Sequence, residues 1–377
     1  MDQEAFKELC AIANEPFTKL RAWKSNTGQK IIGSTLTDVP EELIHASGLL
    51  PFTILGTNRP IRHTASSLPD NCCSLDRSNL ELVFTYERDF FDGYILPQVD
   101  DTSQHLSDIW RRNVPSEYFE SFLIPRQVNR PSARTWFNDE IQRLKESLER
   151  YIGKTITEEA LWRSIRIYNE NRKMLRDLYE RSKRDPGFLS NRERFEMMKS
   201  SMFYPKEEHN RLLKKLLDST GDHSSSKEAI PHFRLVLSGI VWEPPEILSL
   251  LDEAGATVVG DDLCVGTRYI EADVSSHSDP IQALVERHFQ KGPFSPVHDE
   301  GDKIFCNLLR LARENQADGI VYLHIKFNES QDYDLPDLKR ATEKEGIPML
   351  VLDTEYQTTH VAQLKTRVQA FLESLSP

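Results

Sequence analysis

Two doubly wound α/β domains with a helical insert between them are what this sequence predicts, and three observations predict it. In the last third, short apolar runs alternate with amphipathic stretches of helical length. The first third repeats that alternation less regularly, and the stretch between them carries helical periodicity without strand signals. Strands covered by helices on both faces read as continuous apolar runs, the signature of a parallel sheet. A chain of 377 residues has room for two such domains. The boundaries fall at 1–135 for the N-terminal α/β domain, 136–225 for the helical segment and 231–377 for the C-terminal Rossmann-like domain.

Taken in order, the first strands are Lys30–Leu36, Leu50–Gly56, Gly93–Gln98 and Phe119–Pro125. Pro40 opens a helix carrying Glu41, Glu42 and His45, because proline suits the first helical turn. Cys72-Cys73-Ser74 leads a helix-like stretch through Leu82, and Asp100-Asp101 leads one through Trp110. In the middle, Thr155 to Glu158 fits a capping box. Leu161, Ile165, Tyr168, Leu175 and Tyr179 then hold one face until Asp185-Pro186-Gly187 stops the helix. Ser219–Pro231, small and polar and ending in proline, reads as the linker. Beyond it come the runs Arg234–Val241, Ala256–Asp262, Gly319–Ile325 and Ile347–Asp353. They are separated by helices that end near Gly255, follow Asp279-Pro280, run from about Asp302 to Asn315 and run from Pro336 to Glu345. A last helix, His360–Leu375, closes the chain.

Charge narrows the function. Lysine and arginine number 47 against 59 acidic residues, a net charge of −12. That excess argues against nonspecific nucleic-acid binding and against an acidic membrane surface, while a local basic patch still suits a phosphate-bearing ligand. No apolar run has the length of a membrane span, and the N-terminal residues lack a signal-peptide pattern, so a cytoplasmic protein is expected. The five cysteines, Cys10, Cys72, Cys73, Cys264 and Cys306, form no C-x-x-C pair. This disfavours a disulfide framework and a self-contained structural zinc site.

Phosphate-loop, dinucleotide, zinc-protease and nucleophile-elbow motifs are all missing. Ligands of open α/β sheets bind beyond the carboxyl ends of strands. That rule selects Asp100-Asp101, Asp261-Asp262 with Cys264, and Asn328-Glu329. Cys72-Cys73-Ser74, ahead of a helix, sits where the helix dipole favours a thiolate. Each has a plainer reading. Asp100-Asp101 would cap a helix, Asp261-Asp262 would make a turn, and Cys72-Cys73 would end a shielded loop. Cys10 and Cys306 read as small buried apolar residues, His324 as a core histidine and Arg111-Arg112 as a solvated helix face. The residues alone stop at an α/β ligand-binding protein of open chemistry.

Longer blocks carry more. Asp38–Pro51 (DVPEELIHASGLLP), Cys73–Leu82 with Phe91–Asp101, Ile165–Glu180, Val236–Leu248, Val258–Tyr269, Ala317–Ser330 and Gln363–Ser374 follow one another along the chain. In that order they resemble the smaller, β-type subunit of the 2-hydroxyacyl-CoA dehydratase and benzoyl-CoA reductase family. The resemblance implies two Rossmann-like domains and a heterodimer of homologous subunits. It also implies a [4Fe–4S] cluster in the subunit and an ATP-hydrolysing iron–sulfur activator that supplies single electrons. The implied chemistry is loss of water from a 2-hydroxyacyl-CoA through a ketyl radical, or reduction of an aromatic acyl-CoA ring.

The family's three cluster cysteines fall on Cys73, Asp100 and Asn328, and only the first is cysteine here. P-x-x-C-D has become Pro97-Gln98-Val99-Asp100-Asp101, and F-C-D/E has become Phe327-Asn328-Glu329. A P-C-P segment of many relatives is Pro293-Phe294-Ser295-Pro296, with Cys264 a further candidate nearby. Thiolates hold such clusters. A carboxylate replaces one occasionally and a neutral amide poorly, so the reading is a degenerate cluster site. Glu42 and His45 are read as facing substrate, with a solvated helix face as the alternative for Glu42. Two classes stay open. One is a subunit of an acyl-CoA dehydratase or reductase whose radical chemistry is carried by a cluster-bearing partner. The other is a cluster-free paralogue that binds an acyl-CoA or holds an assembly together.

Overall fold

The chain enters through helices α1 (Gln3–Asn14) and α2 (Pro16–Thr27). The Asp2 carboxylate accepts the Glu4 and Ala5 amides and so caps α1. A first sheet follows: β1 (Ile31–Thr35), α3 (Glu41–Ala46), β2 (Leu50–Ile54), α4 (Ser74–Glu81), β3 (Gly93–Gln98), α5 (Asp101–Asn113) and β4 (Tyr118–Leu123). The helical segment is α6 (Ser132–Ile152), α7 (Glu158–Arg184), α8 (Asn191–Ser201) and α9 (Lys206–Asp218). The second sheet begins with β5 (Phe233–Gly239), α10 (Glu246–Glu253), β6 (Ala256–Asp261), α11 (Thr267–Ile270) and α12 (Pro280–Gln290). It ends with α13 (Lys303–Glu314), β7 (Gly319–Ile325), α14 (Glu329–Lys344), β8 (Met349–Thr354) and α15 (Val361–Leu375). These elements come from a computed structural model that describes residues 1–36, 38–219, 233–276, 279–292, 294–298, 300–355 and 361–376. The linker reading of Ser219–Pro231 lies outside those residues beyond Ser219, as do Pro293 and His360.

Both sheets are parallel and doubly wound, in the orders β2-β1-β3-β4 and β6-β5-β7-β8. The expected pair of Rossmann-like α/β units is therefore what the chain forms. Strands β1, β2 and β7 are buried along their whole length, as their apolar runs require. Each sheet has a topological switch point, between β1 and β3 in the first and between β5 and β7 in the second. Among the described residues no helix is long and apolar enough to cross a membrane.

Helix α7 is the brace between the halves. Its predicted face (Leu161, Ile165, Tyr168, Leu175 and Tyr179) is buried. On the side toward the second sheet, the Asn169 amide exchanges two 2.9 Å hydrogen bonds with the Val274 backbone. Arg176 pairs with Asp273 at 2.7 Å, and Arg172 reaches back to Glu42 on α3 at 2.7 Å. Helix α1 buries Ala5, Leu9, Ile12 and Ala13, a one-sided stripe, and packs on α8 and α9.

Local boundaries depart from expectation in two places, and the setting of two cysteines in a third. The cap of α7 is Thr157, whose hydroxyl accepts the Ala160 amide, rather than Thr155. Helix α14 begins at Glu329 and carries Pro336 inside it. Asn328 caps two turns earlier than the proline, which forfeits one backbone hydrogen bond without ending the helix. Cys306 is exposed and Cys10 only half-buried, so neither is the core residue that the helical pattern suggested.

Candidate functional site

Three of the positions selected by sequence occupy equivalent places. Cys73 is the N-cap of α4, Asp100 of α5 and Asn328 of α14, each in a loop leaving the carboxyl end of a strand. The first two belong to one sheet and the third to the other, so the ends of the two sheets face each other here. The Ser74 amide donates to the Lys326 carbonyl at 3.2 Å across that boundary. Asn328 Nδ2 donates to Cys73 Sγ at 3.6 Å, with both residues buried. Phe327, immediately before the cap, sits at φ +63° with its ring 41% exposed, which turns the chain so that Asn328 points inward.

The polar atoms of the site are committed to the protein's own backbone. Asp100 Oδ1 accepts the Ser103 amide at 2.7 Å, and Ser103 Oγ accepts the Asp100 amide at 2.9 Å, a closed capping box. Asn328 Oδ1 accepts the Gln331 amide at 3.1 Å. The Gln331 side chain then accepts from Ile325 N–H at 2.8 Å and donates to the Leu323 carbonyl at 3.0 Å. Asp100 and Asn328 thus both cap their helices.

Burial pushes the Cys73 thiol well above its ordinary range, and Asp76 pushes it further. The thiolate expected from the helix dipole is overridden by a dry setting with a carboxyl one turn away. Asp76, 8% exposed, is raised to about 8 by burial and by Asp100. The site therefore holds a thiol and a carboxyl that both keep their protons more tightly than usual, beside the helix-capping Asp100 and an amide. Asp76 escaped the sequence reading, although C-x-x-D at a helix start is the spacing of a capping pair. Such a set donates and accepts hydrogen bonds. It does not match what a [4Fe–4S] cluster requires, since one thiol, one helix-capping carboxylate and one amide replace three thiolates. Among the described residues no group of three or more His, Cys, Asp or Glu side chains is disposed to hold a metal ion.

The remaining candidates lie elsewhere. Cys264, buried, donates its amide to the Ile240 carbonyl at 3.0 Å. Its thiol, raised to about 11 by burial, has Arg268, Asp38 and Lys291 as its charged neighbours, not Cys73. Asp261 is a turn residue, accepting the Leu263 and Thr267 amides at 3.2 and 2.8 Å. A Cβ at Gly266 would run into that carboxylate, which is why the turn carries glycine. Asp262 is raised to about 6 by burial.

Glu42 is 2% exposed, so the solvated-face alternative fails for it. Burial alone would raise its carboxyl, but Arg172 and Arg287 outweigh that and hold it at about 2. His45 lies against the helical segment, with Nδ1 2.9 Å from Ser164 Oγ and Nε2 3.3 Å from Glu207. The hydrogen bonds of both residues thus run to α7 and α9, away from the Cys73 pocket. His324 is buried, as expected of a core histidine, but lies between Asp353 at 2.9 Å and Asp332 at 3.0 Å. Arg111 and Arg112 are exposed, and Arg111 pairs with Asp108. Sequence reasoning also missed the buried pair of Asp38 and Lys291, 253 residues apart in the chain and 3.3 Å apart in space.

Comparison with known proteins adds to this geometry. The profile of the 2-hydroxyglutaryl-CoA dehydratase D-component family matches residues 36–375. The (R)-phenyllactyl-CoA dehydratase beta subunit of Clostridium sporogenes is 27% identical over 98% of this chain and 98% of its own. A benzoyl-CoA reductase subunit of Thauera aromatica is 27% identical, over 95% of this chain and 94% of its own. The (R)-2-hydroxyglutaryl-CoA dehydratase beta subunit of Acidaminococcus fermentans is 27% identical, with 98% of each chain covered.

Proposed function

We propose, from the premise that this chain belongs to the 2-hydroxyglutaryl-CoA dehydratase D-component family, that it is the β-type subunit of a complex acting on an acyl-CoA. The reaction class is dehydration of a 2-hydroxyacyl-CoA or reduction of an aromatic acyl-CoA. In this reading the single-electron chemistry resides on a homologous, cluster-bearing partner fed by an iron–sulfur activator. This chain contributes its two α/β units, and its own cluster pocket is degenerate.

One observation carries the degenerate pocket. At the three positions where the resemblance implies thiolates, the side chains bond to one another and to their own helices: Asn328 to Cys73 and Gln331, and Asp100 to Ser103. Polar groups satisfied in this way, Cys73 and Asn328 buried and Asp100 partly so, hold their geometry without a metal. Glu42 and His45, proposed above as substrate-facing, have the alternative role of clamping α3 to the helical segment.

The test is iron and acid-labile sulfide on the full chain, purified anaerobically and reconstituted without a partner. Near-zero content is expected, against about four of each for one cluster. Four would overturn the degenerate pocket. Co-expression with a homologous partner that has all three cysteines tests the rest. A stable heteromeric complex that dehydrates or reduces an acyl-CoA when the activator is supplied supports the function, and two separately eluting chains oppose it.

A further inference from the structure

A cavity of about 340 Å3 opens where the first sheet meets α12 and α13. Asp38, three residues beyond the end of β1, forms one wall at the switch point of that sheet. Open α/β sheets place ligands at such points, because the loops diverge there and leave a crevice. Lys291, which follows the last residue of α12 and pairs with Asp38, and Lys303, the first residue of α13, also line the cavity. Arg134 of α6 and Arg268 of α11 complete it.

Charge in this cavity runs against the chain as a whole. The protein carries a net −12. Yet among the described lining residues four are lysine or arginine (Arg134, Arg268, Lys291 and Lys303), and Asp38 is the one carboxylate. That carboxylate is engaged by Lys291 at 3.3 Å, with the two side chains only 6% and 7% exposed. Arg134 has Glu286 at 3.7 Å, a half-exposed pair of little strength. The Arg268 guanidinium is anchored 5.0 Å from the centroid of the Phe294 ring, another lining residue. Clustered cations at a partly apolar wall suit a planar or tetrahedral oxyanion. A volume near 340 Å3 is at the small end of ligand pockets.

We infer that this cleft is a binding site for a small organic oxyanion, a carboxylate or a phosphate ester, gripped by Arg134, Arg268 and Lys303 around the Asp38–Lys291 pair. Its lining shares no residue with the Cys73 pocket. The shared chemistry has two sources, the phosphates of a coenzyme A or the carboxylate of a free organic acid.

The experiment is calorimetric titration of the full chain with pyrophosphate, coenzyme A and glutarate as separate probes. Saturable binding of at least one probe is expected, weakening as salt is raised. Lys303→Glu and Arg134→Glu, both at exposed positions, should each weaken it at least tenfold while circular dichroism stays unchanged. Binding of pyrophosphate and coenzyme A identifies the phosphate source, and binding of glutarate alone identifies the carboxylate. No saturable binding of any probe, or binding that both variants leave intact, overturns the inference. Either result leaves the proposed function to its own tests, since iron content and complex formation do not read this cleft.

Discussion

Replacing Glu42 by glutamine separates a clamp from a catalyst. The Glu42–Arg172 pair is 2.7 Å long with both side chains under 5% exposed, and the carboxyl is held down from 4.5 to about 2. At about 1.4 kcal/mol per pH unit, that displacement corresponds to about 3 kcal/mol of stability at pH 7. Breaking one side of a buried ion pair typically costs about 3–5 kcal/mol, because the remaining charge is stranded, and the two figures agree. The sign follows from a depressed carboxyl. Its contribution is complete above the unfolded value near 4.5 and is lost as pH falls toward about 2. Urea unfolding of the full chain should therefore show Glu42→Gln weaker by about 3 kcal/mol at pH 7, and by only about 2 kcal/mol at pH 3.5. A variant as stable as the parent at pH 7, yet inactive in the assembled complex, would refute the clamp and place Glu42 against substrate. A stability gap that is constant across that pH range would refute the charge argument even if the variant were weak.

Other outcomes follow from the same structure. The double variant Asp100→Cys with Asn328→Cys should take up about four iron and four sulfide on reconstitution, since it restores a thiolate at each of the three positions the resemblance assigns to the cluster; no uptake means that the helix ends no longer converge as a cluster needs. Asp100→Ala should lower stability by about 1 kcal/mol, the usual worth of an N-cap, as read from the urea midpoint. Gly266→Ala should cost about 1–3 kcal/mol, because its methyl meets the Asp261 carboxylate; an unchanged midpoint would mean that the turn gives way freely.

Fold was legible because its signals are local and repeated. Runs such as Gly319–Ile325 are buried from end to end, and no other element type explains that pattern beside amphipathic helices. Helix ends were legible where one polar side chain does one job, as at Asp100, and illegible where a strong signal misled, as at Pro336. The site was legible only in part. Cys73, Asp100 and Asn328 could be aligned with a family's ligand positions, but whether they point at each other is a tertiary fact. The raised pKa of Asp76 depends on a burial and a neighbour, Asp100, that its own segment does not reveal. Asp38 and Lys291 were invisible for the same reason, since their encounter requires two domains to be placed side by side. Glu42 shows the limit most plainly: adjacent acidic residues at a helix start look solvated, and only the fold shows that α7 delivers Arg172 to one of them.

The hydrogen bond from Ser74 to the Lys326 carbonyl makes a backbone amide a timekeeper for the molecule. That amide belongs to one half of the chain and its acceptor to the other, so it is released to solvent when the halves part, even if neither sheet unfolds. In deuterated water its exchange counts separations directly, while amides inside β1 or β7 count full unfolding. A ligand or partner that fastens the halves together should slow the first clock and leave the second unchanged, so that closure can be followed at a single atom.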